Sequence, residues 1–206
     1  FVKTKIKIMK KICHLTLVMF AMLFGSTAMA QTQKGNLMVG GDLTNFGFNF
    51  QKGSTKFDFN LTPKLGYFIK DDLALGGYVN FGLSTAKGAG STVDYGIGAF
   101  GRYFINDKNV KKLEFSKRAR FFVEANAGFA GTNPASGAST NGLNLGAGPG
   151  LAYFITPNVA LEALVKYDLI VGFGNSVTSN QLGFNLGFQI YLPTAKVKQI
   201  IREEQR

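Results

Sequence analysis

The sequence predicts an all-β protein, an eight-stranded antiparallel up-and-down transmembrane β-barrel. Three observations predict it. From Gly35 to Leu192 apolar residues recur at every second position, the period of a strand with two unlike faces. The charges within these stretches all fall on the opposite parity. The composition, with 26 Gly, 20 Phe and only 17% charged residues, rules out disorder, which needs low hydrophobicity and high net charge. It suits a helical domain no better, because Gly and Phe are poor helix formers.

Residues 1–30 read as an address. Met9-Lys10-Lys11 opens a basic run, Ile12 to Phe24 are mostly apolar, and Gly25-Ser26-Thr27-Ala28-Met29-Ala30 supplies small residues ending at Ala30. That order is a cleaved export signal starting at Met9. A helical membrane anchor needs about 20 apolar residues, and this run is too short. Cys13 lies at the start of the run, away from the cleavage site, which speaks against a lipoprotein anchor. Cleavage after Ala30 removes five Lys and no acid, leaving 18 bases against 12 acids, a net charge of +6.

Cleavage also removes Cys13 and His14, the only Cys and His of the chain. Disulfides and the usual zinc, copper and haem sites are thereby excluded for residues 31–206. Ser-His-Asp and Cys-His hydrolases lose their base. No catalytic, cofactor-binding or metal-binding residue is predicted, and no cofactor.

The barrel is expected over 31–193, with eight strands of about ten residues or slightly more. Their apolar rows begin with Leu37, Val39 and Leu43, then Phe57, Phe59, Leu61, Leu65, Tyr67 and Ile69. The third is Leu75, Val79, Phe81 and Leu83, and the fourth Val93, Tyr95, Ile97, Ala99 and Tyr103. Phe121, Val123, Ala125, Ala127 and Phe129 make the fifth, followed by Leu143, Leu145, Ala147, Leu151, Tyr153 and Ile155. Leu161, Ala163, Val165, Tyr167, Leu169 and Val171 form the seventh. The last is the most regular, with Leu182, Phe184, Leu186, Phe188, Ile190 and Leu192 alternating with Gly183, Asn185, Gly187, Gln189 and Tyr191.

Asp42, Lys56, Asp58, Lys64, Asp94, Arg102, Arg118, Arg120, Glu124, Glu162, Lys166 and Asp168 all lie on the other parity. A Lys or Arg facing lipid at mid-membrane costs about 2–4 kcal/mol, which accounts for the segregation. A soluble barrel alternates too, but it keeps its apolar residues inside and large polar groups outside. Here the polar parity is mostly Gly, Asn, Ala and Ser, small residues suited to a cramped interior. The membrane barrel is the better account.

Connections repeat. Gly66-Tyr67-Phe68-Ile69, Arg102-Tyr103-Phe104-Ile105 and Ala152-Tyr153-Phe154-Ile155 each lead into a polar turn, and two are followed by Leu73-Ala74-Leu75 and Val159-Ala160-Leu161. This internal repeat of roughly 86 residues places an aromatic pair at one height on three strands, as an interfacial belt would. The connections around 47–55, 85–92, 131–141 and 172–180 are Gly/Ser/Thr/Asn-rich and read as polar loops at the other end.

Residues 31–193 resemble the small eight-stranded outer-membrane β-barrels, the OmpA/OmpX-like and "porin family" barrel domains. The resemblance rests on the export signal, the turn approach Pro63-Lys64-Leu65-Gly66-Tyr67-Phe68-Ile69 and the closing strand Gly183-Phe184-Asn185-Leu186-Gly187-Phe188. It implies a monomer in the cell outer membrane, contacts with outer-membrane lipid and with the assembly machinery, and no nucleic-acid partner. Many such proteins end on an aromatic residue, whereas this strand stops at Leu192-Pro193.

Candidate sites are few. Gly96-Ile97-Gly98-Ala99-Phe100-Gly101 matches a dinucleotide fingerprint, but that motif must open a helix, and these glycines sit inside an alternating strand. Pro149 marks an expected bulge. The interior charges Asp42, Asp58, Lys64, Asp94, Arg102, Arg120, Glu124, Glu162, Lys166 and Asp168 must pair, because isolated buried ions are very costly. They read as a salt-bridge plug or, alternatively, as the lining of a narrow path for small solutes. The basic stretch Asn106–Arg118 is a turn near lipid headgroups on the periplasmic side. Residues 194–206 form a short polar tail, too small for a peptidoglycan-binding domain. The function expected is an integral outer-membrane protein with a structural or surface-interaction role, engaging extracellular or periplasmic protein partners and not acting as an enzyme. The runner-up is a porin-like channel.

Overall fold

The computed structural model describes residues 32–51, 54–86, 88, 90–105, 118–174 and 178–194, with backbone only at 45–51, 54 and 55. The export segment 1–30, most of the basic turn, and the tail beyond Thr194 lie outside them.

Eight strands follow in chain order: β1 (Leu37–Gln51), β2 (Ser54–Lys70), β3 (Leu73–Ala86), β4 (Gly90–Phe104), β5 (Ala119–Asn133), β6 (Thr140–Thr156), β7 (Val159–Gly172) and β8 (Ser179–Leu192). Each pairs antiparallel with the next, and β1 pairs with β8 through Leu37↔Leu192 to Leu43↔Leu186, closing the barrel. Closure leaves no edge, the condition for strands in lipid. Among the described residues no helix is long and apolar enough to cross a membrane.

The strands are longer than their apolar rows suggest, at 14–17 residues. Backbone pairing continues through the Gly/Ser/Thr/Asn segments, where alternation of side-chain polarity fades but the hydrogen-bond ladder does not. Gln51↔Ser54 and Ala86↔Gly90 therefore leave very short loops where longer ones are expected. The longest connection, between Phe104 and Ala119, instead lies at the opposite end, with the two-residue turns 71–72 and 157–158. That end, which also carries the start of β1 and the finish of β8, is called the turn end below; the other is the loop end.

The registers show a one-residue irregularity at Phe68/Lys70 and again at Phe154/Thr156, the two places where the 86-residue repeat falls. Pro149 makes no such shift, because pairing with β7 has the same register at Ala147↔Tyr167 and Gly150↔Leu164. The proline interrupts bonding without displacing the strand.

The apolar rows face outward. Leu65 is 56% exposed, Ile97 61% and Leu182 72%, all side chains that lipid would cover. Tyr67, Tyr103 and Tyr153 also point out, but Phe68, Phe104 and Phe154 point in and are buried. Only half of each aromatic pair can therefore belong to a belt, since neighbours on a strand lie on opposite faces. The Gly96–Gly101 motif lies within β4, with no helix following it.

Glycine makes room for the interior charges at Gly187 and Gly148, among others. Gly187 sits between Asp42 on β1 and Glu162 on β7, and a Cβ there would stand 2.6 Å from Asp42 Oδ1. Gly148 is the register partner of Glu124, and a Cβ there would collide with the carbonyl oxygen of Val165.

Candidate functional site

The inward side chains form three storeys. At the turn end Phe68, Phe104, Phe122, Phe154 and Tyr191 are buried against Met38, Ala74, Ala152 and Ala160. Their ring centroids lie 5.2–6.2 Å apart in tilted or edge-on pairs, the geometry aromatic rings prefer. This is an apolar floor built on the polar parity of the sequence.

Above the floor lies a continuous chain of ion pairs. Lys64 Nζ stands 2.6 Å from Asp42 Oδ2 and 2.5 Å from Glu124 Oε1. Arg102 donates from Nη2 and Nε to Glu124 Oε2 at 2.6 and 2.9 Å, and from Nη1 to both Glu162 oxygens at 2.8 and 2.7 Å. Tyr191 Oη donates to Glu162 Oε1 at 2.6 Å, and Gln189 Nε2 to Asp42 Oδ1 at 3.3 Å. All five charged residues are buried, and Arg102 also lies 4.1 Å from the centroid of the Phe122 ring. That contact ties the charged storey to the floor as a cation–π pair. Buried ions survive only with such complete pairing.

The third storey opens toward the loop end as a polar cup of about 460 Å³. Its wall carries Thr44, Asn60, Thr62, Tyr78, Asn80, Asp94, Asn144, Lys166, Asp168 and Asn185. Asn126 Nδ2 donates to Asn144 Oδ1 at 2.6 Å and to Tyr78 Oη at 3.1 Å, and Asn80 Nδ2 to Asn60 Oδ1 at 2.8 Å. A recess of about 20 Å³ between cup and ion pairs is bordered by Asp42, Lys64, Glu124 and Asn126. That is the size of a single water.

Of the ten charges singled out in the sequence, Asp42, Lys64, Arg102, Glu124 and Glu162 meet in one network. The others do not join it. Lys166 pairs with Asp168 at 3.2 Å on the cup wall, and Asp94 accepts from Thr132 at 2.6 Å. Asp58 sits nearer the loop rim with Lys56 and Ser84. Arg120 is a correction, for it lies at the turn end, donates to Asp72 Oδ1 at 2.8 Å and contacts Thr32. It is the second residue of β5, two positions before Phe122 and on the far side of the floor from Glu124. Arg118 precedes β5 and is exposed.

Sequence reasoning missed the floor and Asp72. The floor's signal was present, because Phe100, Phe104 and Phe122 share the parity of Arg102 and Glu124. Asp72 is a turn residue at φ 63°, a conformation Asp tolerates, and only the fold brings it to Arg120. Among the described residues no three His, Cys, Asp or Glu side chains are grouped as a metal site requires.

Comparison with known proteins gives a consistent picture. The sequence model described as outer membrane protein beta-barrel domain matches residues 16–189. A search of curated protein sequences finds no match. Among solved structures, the outer membrane protein OprG from Pseudomonas aeruginosa is similar at TM-score 0.51 and 9% identity, over 81% of this chain and 99% of that one. Neisserial surface protein A is similar at TM-score 0.48 and 18% identity, covering 77% and 96%. The N-terminal β-barrel domain of Pseudomonas aeruginosa OprF stands at TM-score 0.46 and 18% identity, covering 77% and 98%. At these identities the likeness to OprG speaks for the fold alone.

Proposed function

Because the chain belongs to the outer-membrane β-barrel family, we propose that it is a closed, non-conducting barrel whose role is structural or surface-interacting. It resides in the cell outer membrane, and its outward apolar rows meet lipid directly. The observation that carries the reading is the double closure of the interior. A storey of five buried, mutually paired charges lies on a storey of packed aromatic rings, and the recess beside the charges has room for one water. An eight-stranded barrel has an interior just wide enough for side chains, and this one is filled with them over its turn half.

Residues 31–193 act as the barrel domain after removal of the export signal at Ala30, and the protein works as a monomer delivered by the outer-membrane assembly machinery. The absence of His and Cys after position 14 favours a non-enzymatic role. Partners are sought at the loops and at the turn end, among extracellular or periplasmic proteins.

Conductance of the protein in a planar lipid bilayer tests the reading. Inserted protein without steady current is the expected result; reproducible current steps would overturn it. They would favour the second reading, a narrow channel for small solutes. That reading draws on the cup, which occupies the loop half of the barrel and narrows to the recess beside Lys64. Glu124, Lys64, Arg102 and Glu162 would then be the residues to mutate first.

A further inference from the structure

The chain is basic overall, yet the space inside the barrel is not. Among the described residues, six carboxylates stand above the floor, those of Asp42, Asp58, Asp94, Glu124, Glu162 and Asp168, against four bases, Lys56, Lys64, Arg102 and Lys166. Arg120 cannot redress the difference, being held at the turn end by Asp72. The described side chains of the well therefore carry a surplus of two negative charges inside low-dielectric walls that focus the field toward its mouth.

Hydrogen bonding points the same way. Within the barrel, the buried polar atoms lacking a hydrogen-bond donor are Asp42 Oδ2, Asn126 Oδ1 and Gln189 Oε1, and all three are acceptors. Asp42 Oδ2 has the charge of Lys64 beside it but not hydrogen-bond geometry. Asn126 is 7% exposed and borders the recess beneath the cup. Higher up, Asp94 accepts one bond from Thr132 and has no basic partner among the described residues. What the well lacks is N–H donors and positive charge.

We propose that the cup binds small organic cations bearing a primary ammonium group, with Asp94 as the counter-ion and the amide oxygens of the wall as further acceptors. An ammonium offers three donors and no acceptor, which suits the Asp94 carboxylate and the oxygens of the wall. The chain itself supplies an example, since the Lys166 ammonium lies within the cup, 3.2 Å from Asp168 and largely shielded from solvent. A volume of about 460 Å³ accommodates a ligand of several heavy atoms entering from the loop end. Anions are disfavoured by the charge surplus, and neutral polyols bring no positive charge to offset it.

The proposal is independent of whether the barrel conducts. Its test uses isotope-labelled protein extracted from outer membranes into detergent and titrated with putrescine, a four-carbon diamine, followed by amide NMR shifts. The neutral diol 1,4-butanediol and acetate serve as controls. Putrescine is expected to move signals of Asn60, Asp94 and Asn144 saturably, with an affinity that falls as salt is raised and falls at least fivefold in Asp94→Asn. Equal shifts with the diol would overturn the proposal, leaving a hydrated polar cup only. So would a folded Asp94→Asn protein with unchanged putrescine affinity. Should that variant not fold, the diamine-against-diol contrast and the salt dependence of the unaltered protein decide alone. Current steps together with putrescine preference would sink the closed-barrel reading and leave this one standing.

Discussion

Arg102 and Glu124 are direct register partners on β4 and β5, and two guanidinium nitrogens of Arg102, Nη2 and Nε, converge on one oxygen of Glu124, Oε2. The other oxygen of Glu124 is left for Lys64, 2.5 Å away. One carboxylate thus bridges the two buried cations of the barrel.

Replacing Glu124 with Gln removes that bridge and leaves Lys64 and Arg102 facing each other across a neutral amide. Breaking a buried pair in this way costs about 3–5 kcal/mol. A fall of the urea midpoint for refolding into lipid vesicles is expected. An unchanged midpoint would take Glu124 out of the network's energetics.

The register makes neighbours on β8 respond differently to one substitution. Leu186 is 57% exposed to lipid, whereas Asn185 faces the cup. Leu186→Arg should lose about 2–4 kcal/mol of insertion free energy. Asn185→Arg can extend into the cup and should be milder. Equal effects in a refolding titration would mean the faces are assigned wrongly.

Gly148 and Gly77 offer a matched pair. A methyl at Gly148 meets the Val165 carbonyl, a backbone atom of the facing strand, while at Gly77 the nearest atom, Gly98 O, is 3.6 Å away. Gly148→Ala should destabilise by about 1–3 kcal/mol, the range for overpacking. Gly77→Ala should stay close to neutral, read from the temperature at which the folded band disappears on a gel.

Phe104→Ala empties the middle of the floor, since the ring contacts Phe68, Phe122 and Tyr191. Truncations of this kind cost about 3–5 kcal/mol. No current is expected from this variant, because the ion pairs above remain. Steady channels would show that the floor alone seals the barrel.

Tyr191→Phe keeps the ring and removes the donor to Glu162. A hydrogen bond to a charged group contributes about 1.5–3 kcal/mol, and a loss in that range is expected from the same refolding titration. No loss would mean that Arg102 alone satisfies Glu162.

The strands were legible because lipid enforces one face of each, so Leu186 and Asn185 betray their positions by polarity alone. The interior was legible only as a set of residues. Parity places Arg120 and Glu124 on the same face, but not their heights, and height decides that Arg120 reaches Asp72 while Glu124 reaches Arg102. Height depends on the stagger between strands, which no single strand encodes. Phe68 and Phe104 were misread for a related reason: an aromatic beside a turn suits a lipid interface and a plugged interior equally well, until the face is known.

The buried charges come from β1, β2, β4, β5 and β7, with Tyr191 and Gln189 added from β8. Lys64 and Glu124 are 60 residues apart and Gln189 and Asp42 are 147 apart. Two hairpins hold one pair each, Asp42 with Lys64 and Arg102 with Glu124, but the links from Lys64 to Glu124 and from Arg102 to Glu162 cross the barrel. A sheet that has entered the bilayer with its ends still apart leaves Glu162 away from Arg102 and Lys64 away from Glu124, and it stays unfavourable until the strands close on themselves. The network then works as a latch during assembly: only a full circle of strands can shut it, so partly inserted forms are held back from the dry interior of the membrane.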